Sequence, residues 1–195
     1  MKTISKTVLQ GASVALALML ASTGAAWAAP MHIQWSGSGW DTSLDNFDDG
    51  YPVNITVAEA RGSFGVSRIE VSCEFSADDL GDIEGVECAE GYGTLLGVLY
   101  SAHVSTFENL DQLYGASNEG WMCVNMTTGH YYGEIHGGYA GGTGRFAQAE
   151  GWWSTTFEGQ NLELPEAVTG LEPVGFRSIS GKMHGEVNMH GSGKD

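Results

Sequence analysis

The chain has 195 residues, 24 acidic against 8 basic, and a formal charge of −16 with its histidines neutral. That sign excludes bulk electrostatic binding of nucleic acid or anionic lipid, which are themselves negative. The length suits one domain whose core is large enough to fold without disulfides.

The N-terminal residues read as an export signal. Lys2 and Lys6 form a positive region, "VLQGASVALALMLASTGA" is a mostly apolar stretch, and Ala26-Trp27-Ala28 supplies an A-x-A cleavage site with Pro30 just beyond. The apolar run is marginal for the roughly 20 residues of a membrane span, and no basic stop-transfer cluster follows it. The expectation is a signal peptide over 1–28 and a single mature domain over 29–195, periplasmic or secreted. Cleavage after Ala28 removes Lys2 and Lys6 and no acid, leaving 6 basic and 24 acidic residues, or −18. No later segment is apolar enough to span a bilayer.

Residues 37–52 are expected as an acidic N-terminal loop. Within it, "DTSLDNFDDGY" invites an EF-hand reading, with Gly50 at loop position six, Asp45 at one and Asp49 at five. Phe47 and Thr56 fail the other liganding positions, and no helix flanks the loop. What remains is the alternative of a loose Ca²⁺ site among Asp45, Asp48 and Asp49; the assignment adopted is no metal and no cofactor.

From residue 52 onward, runs of alternating polarity end in glycine or Asn/Asp punctuation. "PVNITVAEA" alternates Val53, Ile55 and Val57 against polar or small residues. "SFGVSRIEVSCEF" follows, with a parity shift near Gly65–Ser67 that suggests a bulge. "GTLLGVLYSAHVSTF" is a long strand, "ENLD" a turn, and "QLYGASN", "GWMCVNM", "HYYGEIHGGY", "GWWSTTFEG" and "FRSISGKMHGEVNMH" complete the series. Eight or nine strands at this spacing point to an all-β sandwich or barrel. "SADDLGDIEG" and "NLELPEAVTGLEPVG" are read as helical or irregular.

Three cysteines lie in the mature chain. An exported protein favours a disulfide, and Cys73–Cys88 would close the local acidic loop between them. Cys73–Cys123 and Cys88–Cys123 stay open as alternatives.

In "GGYAGGTGRFAQAEG", Gly142, Gly144 and Ala147 satisfy the G-x-G-x-x-[GA] spacing of a dinucleotide loop. That loop needs a helix after it to aim N–H groups at phosphate. Here "WWSTTF", aromatic and β-branched, follows instead and favours a strand. The glycines therefore make a turn.

"YAGGTGRFAQAEGWWSTTF" resembles the G-G-T-G-[RK]-[FY]-x-x-A-x-G segment of the allene oxide cyclase-like and dirigent-like β-barrels, especially small exported bacterial members. "ARGSFGVSRIEV" and "ENLDQLYG" are similar to two earlier segments of that family. The resemblance implies an all-β, antiparallel, eight-stranded β-barrel (allene oxide cyclase-like or calycin-like), filled by side chains or enclosing a small apolar ligand. It implies that Gly141, Gly142 and Gly144 form a tight connection, that Arg145 ties it down and that Phe146 packs inward. It carries no catalytic residue across.

Candidate chemistry is sparse. Tyr132, Glu134 and His136 share one strand face, and His184, Glu186 and His190 another; these could meet at a metal or simply face solvent. Glu150, Tyr132 and His103 are candidates for acid–base catalysis by a cyclase or isomerase, with His103 next to Val104 also readable as outward-facing. Tyr131, Phe146, Trp152 and Trp153 are candidates for contact with an apolar ligand. The function expected is non-catalytic binding of a small hydrophobic molecule by a monomer or dimer. A cyclase-type enzyme and a structural module with a filled barrel are the alternatives.

Overall fold

The computed structural model describes residues 27–42, 44–46, 50, 52–77, 83, 85–163 and 175–189. Residues 1–26, where the export signal was expected, Asp48, Asp49, His190 and residues 164–174 lie outside the described residues.

Eight strands follow in order: β1 (Trp27–Asp41), β2 (Asn54–Gly62), β3 (Gly65–Ser76), β4 (Thr94–Phe107), β5 (Gln112–Val124), β6 (His130–Gly142), β7 (Glu150–Glu163) and β8 (Gly175–Met189). Each pairs antiparallel with its sequence neighbour, and β1 pairs with β8, so the sheet closes into a barrel without edges. Following Cα partners once round the barrel from Leu162 returns to β7 at Trp152, ten residues away. A stagger of that size tilts the strands by roughly 35–45° and sets an interior only as wide as its own side chains.

Three sequence expectations are corrected. Gly37–Asp41, read as loop, belong to β1, whose "SGSGW" lacks the apolar alternation that marks a strand. "QLYGASN" and "GWMCVNM" form one strand, β5, whose pairing with β6 is irregular between Leu113 and Gly115 and between Ala116 and Glu119. The bulge expected at Gly65–Ser67 falls at Glu74/Phe75, because Ser63 and Phe64 are the β2–β3 turn itself.

Alternate residues enter the interior. Met31, Ile33, Ala58, Ala60, Ile69, Leu96, Val98, Met122, Ile135, Trp153, Phe157, Met183 and Val187 are all buried there. One end of the barrel is shut by Phe64, Phe107 and Phe146, with ring centroids 4.9–6.3 Å apart. Phe146 is 0% exposed and sits in a single 3-10 turn, Gly144–Phe146, that connects β6 to β7. Arg145 lies over all three rings at 4.7–5.8 Å and donates from Nη2 to the Phe64 carbonyl (3.2 Å). Asp111 faces its Nε at 3.6 Å. Gly141 and Gly144 take φ of +90° and +54°, and a Cβ on Gly144 would overlap the Asp111 carboxylate, so this turn needs glycine twice over.

The disulfide joins Cys88 to Cys123, not Cys73 to Cys88. Parity decides it. Cys73 lies on the same inward face of β3 as Ile69 and Phe75 and is a buried free thiol, while Cys88 follows the strand on the outer side. There Tyr132, with Tyr92 and Trp121 edge-on at 4.8 and 5.6 Å, accepts a hydrogen bond from the Ala89 N–H (2.8 Å). The bridge pins residues 85–93 to the outside of the barrel wall.

Candidate functional site

β1 ends and β2 begins, and β3 ends and β4 begins, at the end of the barrel opposite the phenylalanine plug. Toward this end a cavity of about 60 Å³ lies inside the barrel, lined by residues of β1, β2, β3, β4, β5, β6, β7 and β8. Its wall is mainly apolar: Ala58, Ile69, Phe75, Met122, Ile135, Trp153, Phe157, Ile179 and Met183. Among these stand Trp35, Asn54, Thr56, Cys73, Ser101, His103, Tyr131, Thr155 and Arg177.

Glycines make room for the large rings. A Cβ on Gly115 would overlap the His103 imidazole, one on Gly137 the Trp153 indole, one on Gly181 the Trp35 indole and one on Gly159 the Tyr131 phenol. Each such ring therefore lies flat across a neighbouring strand instead of filling the lumen. The cavity is the space this arrangement leaves.

Most polar groups of the wall are satisfied within the protein. Trp35 Nε1 donates to Thr155 Oγ1 (3.1 Å), which donates to the Lys182 carbonyl (3.2 Å). Tyr131 donates to the Ser178 carbonyl (3.1 Å), and Asn54 Nδ2 to the Pro52 carbonyl (3.1 Å). Arg177 is ion-paired through Nη2 with Asp41. Two atoms differ: His103 Nε2 and Arg177 Nε are buried without a hydrogen-bond partner among the described residues.

The wall is uncharged apart from the Arg177–Asp41 pair. Burial lowers His103 from its ordinary 6.5 to about 4, so the imidazole is neutral at pH 7. Burial pushes the Cys73 thiol up to about 12, with Arg177 working the other way and Asp41 and Glu74 adding to the rise. Tyr131 and, deeper, Tyr139 are raised above the ordinary phenol range by burial, and Tyr139 donates to the Met31 sulfur (2.9 Å). His103 stands edge-on to Trp153 and Tyr139, at 4.9 and 6.1 Å. A thiol this far from ionising is a poor nucleophile, and an imidazole this reluctant to protonate is a poor base.

The residues singled out from sequence divide between inside and outside. Tyr131 and Trp153 line the cavity, and so does His103, which is inward and 4% exposed where an outward position was also open. Phe146 is at the plugged end. Trp152 faces outward, 51% exposed, edge-on to His184. Glu150 and Tyr132 belong to the outer face as well. There Glu134 accepts from Ser154 Oγ (3.0 Å) and lies 3.5 Å from His136 Nε2, while Ser154 is the cross-strand neighbour of both His136 and His184. Among the described residues no group of three or more His, Cys, Asp or Glu could hold a metal ion. Asp45 accepts the Gly50 N–H (2.8 Å); the rest of the proposed calcium loop lies outside the described residues.

Sequence reasoning missed Arg177 and Asp41. Stepping back by twos from Met183 and Val187 puts Arg177 on the inward parity of β8, which was a usable signal. Asp41 was hidden because β1 was not recognised as a strand.

No family model matches the chain, and no curated protein matches it. Among solved structures, that of a pterocarpan synthase dirigent protein aligns with 87% of this chain and 89% of its own, at 8% identity and a TM-score of 0.36. At that identity and score the likeness carries no argument about function. The barrel architecture rests on the closed strand ladder itself.

Proposed function

We propose that this is an exported, non-catalytic barrel, akin to small allene oxide cyclase-like and dirigent-like proteins, that binds a small hydrophobic molecule inside. The observation that carries this reading is the cavity of about 60 Å³ inside the barrel, with a mainly apolar wall. A cavity of about 150 Å³ takes benzene whole, so this smaller space suits a small apolar group, and a single ring enters it where the wall gives or part of the molecule stays at the mouth. Acid–base turnover, as in a cyclase or isomerase, calls for converging groups poised near neutral pH. His103 near 4 and Cys73 near 12 are both far from that range, which favours binding over turnover. A purely structural module would have no such space.

Thermal unfolding of the purified protein with toluene or indole tests the proposal. A ligand present at about 100 times its Kd stabilises by about 2.7 kcal/mol. Ile135→Phe, which projects a ring into the cavity, should abolish the shift. No shift with any single-ring compound in the parent protein would leave the structural module as the better reading.

A further inference from the structure

The cavity wall contains two polar atoms the protein does not satisfy. Arg177 Nε is a donor, buried and without a partner among the described residues, because Asp41 engages the guanidinium at Nη2. His103 Nε2 is the other; it lies one layer deeper, since His103 pairs with Val71 where Ser101 pairs with Cys73. Three neighbouring polar groups are engaged elsewhere: Trp35 with Thr155, Tyr131 with Ser178, Asn54 with Pro52. A buried donor left open is uncommon and destabilising, and Arg177 Nε–H, on a residue that lines a mainly apolar cavity, fits an occupant that carries an acceptor oxygen.

Charge narrows the occupant further. Arg177 is neutralised by Asp41, and the remaining wall groups, His103, Cys73 and Tyr131, are uncharged at neutral pH. An anion entering here would meet an arginine already balanced and a carboxylate beside it, and would lose its hydration. A bare hydrocarbon would leave Arg177 Nε–H unanswered. Size excludes a long acyl chain.

We infer that the ligand is an uncharged, single-ring compound whose carbonyl-type oxygen accepts a hydrogen bond from Arg177 Nε–H, with its ring against Ile135, Trp153 and Phe157. This rests on the binding reading above and specifies its chemistry.

The test compares three probes of similar shape on the purified protein: acetophenone, α-methylstyrene, in which a methylene replaces the carbonyl oxygen, and benzoate. A hydrogen bond from a charged donor should make acetophenone bind about tenfold or more tighter than α-methylstyrene, with benzoate weakest. The Nε–H resonance of Arg177 should shift on adding acetophenone and stay in place with α-methylstyrene. Arg177→Lys keeps a positive charge opposite Asp41 but has no N–H at that position. It should erase the preference for the ketone while retaining α-methylstyrene binding. Equal affinity for ketone and alkene, or tighter binding of benzoate, overturns the inference and leaves the apolar binding reading standing. If none of the three binds, both fall together.

Discussion

At the scale of single residues, His103 and Gly115 are one unit. The imidazole occupies the space a β-carbon at residue 115 would need. Gly115→Ala should destabilise by about 1–3 kcal/mol through overpacking. In a double-mutant cycle with His103→Ala, the pair should be less destabilised than the sum, by about 1 kcal/mol. Additive values from chemical denaturation would show that the ring does not occupy that space. His103 also predicts an acid limb. Its folded pKa, about 4, lies below the ordinary 6.5, so as pH falls the unfolded chain takes up the proton first. The stability this group contributes is complete above about pH 6.5 and drains away toward pH 4. Between pH 7 and about 4.5 the parent should lose about 2 to 3 kcal/mol that His103→Gln does not lose, read from urea midpoints at each pH. Of this arrangement, the inward parity of Trp153 was legible in the alternation of β7. The partnership of His103 with Gly115 was not, because it depends on which strand lies beside β4 and in what register.

Among elements, the β3–β4 connection shows what alternation does and does not say. Its local spacing favours the short Cys73–Cys88 loop, yet strand parity puts Cys73 inside the barrel and leaves Cys88 to meet Cys123 across 35 residues. A closed loop of that length stabilises by about 4 kcal/mol in the chain-entropy account. Cys88→Ser with Cys123→Ser should therefore lower unfolding free energy by about 2–4 kcal/mol, whereas Cys73→Ser should leave a disulfide detectable by mass in the unreduced protein. A free Cys88 and Cys123 in the parent would contradict the bridge. β1 teaches the complementary point. Its serines and glycines give no hydrophobic period, and it becomes a strand because β2 and β8 both offer it a ladder. Gly37 and Gly39 fit there through lack of a side chain, since a β-carbon at either position would overlap β2.

For the molecule as a whole, the barrel is plugged by aromatic rings at one end and hollow toward the other. Phe64, Phe107 and Phe146 under Arg145 shut the end that carries the glycine turn, and the cavity lies toward the other end. Export is the whole-chain prediction. β1 begins at Trp27, and cleavage after Ala28 leaves Ala29 still paired with Val187 at the start of the strand. The mature protein should begin at Ala29 by N-terminal sequencing, with the barrel intact; an intact Met1 in the exported protein would reject that boundary.

The amino-acid sequence by itself determined the all-β class, the approximate strand count, the turn at the glycine run and the bias against polyanionic partners. Each is written in local alternation, backbone freedom or net charge. Only the tertiary structure decided which strands close the ring, which cysteines meet, and that Arg177, Asp41 and His103 converge on one space. Those depend on register and stagger around a closed sheet, where a residue's neighbours come from strands far away in sequence, 136 positions for Arg177 and Asp41.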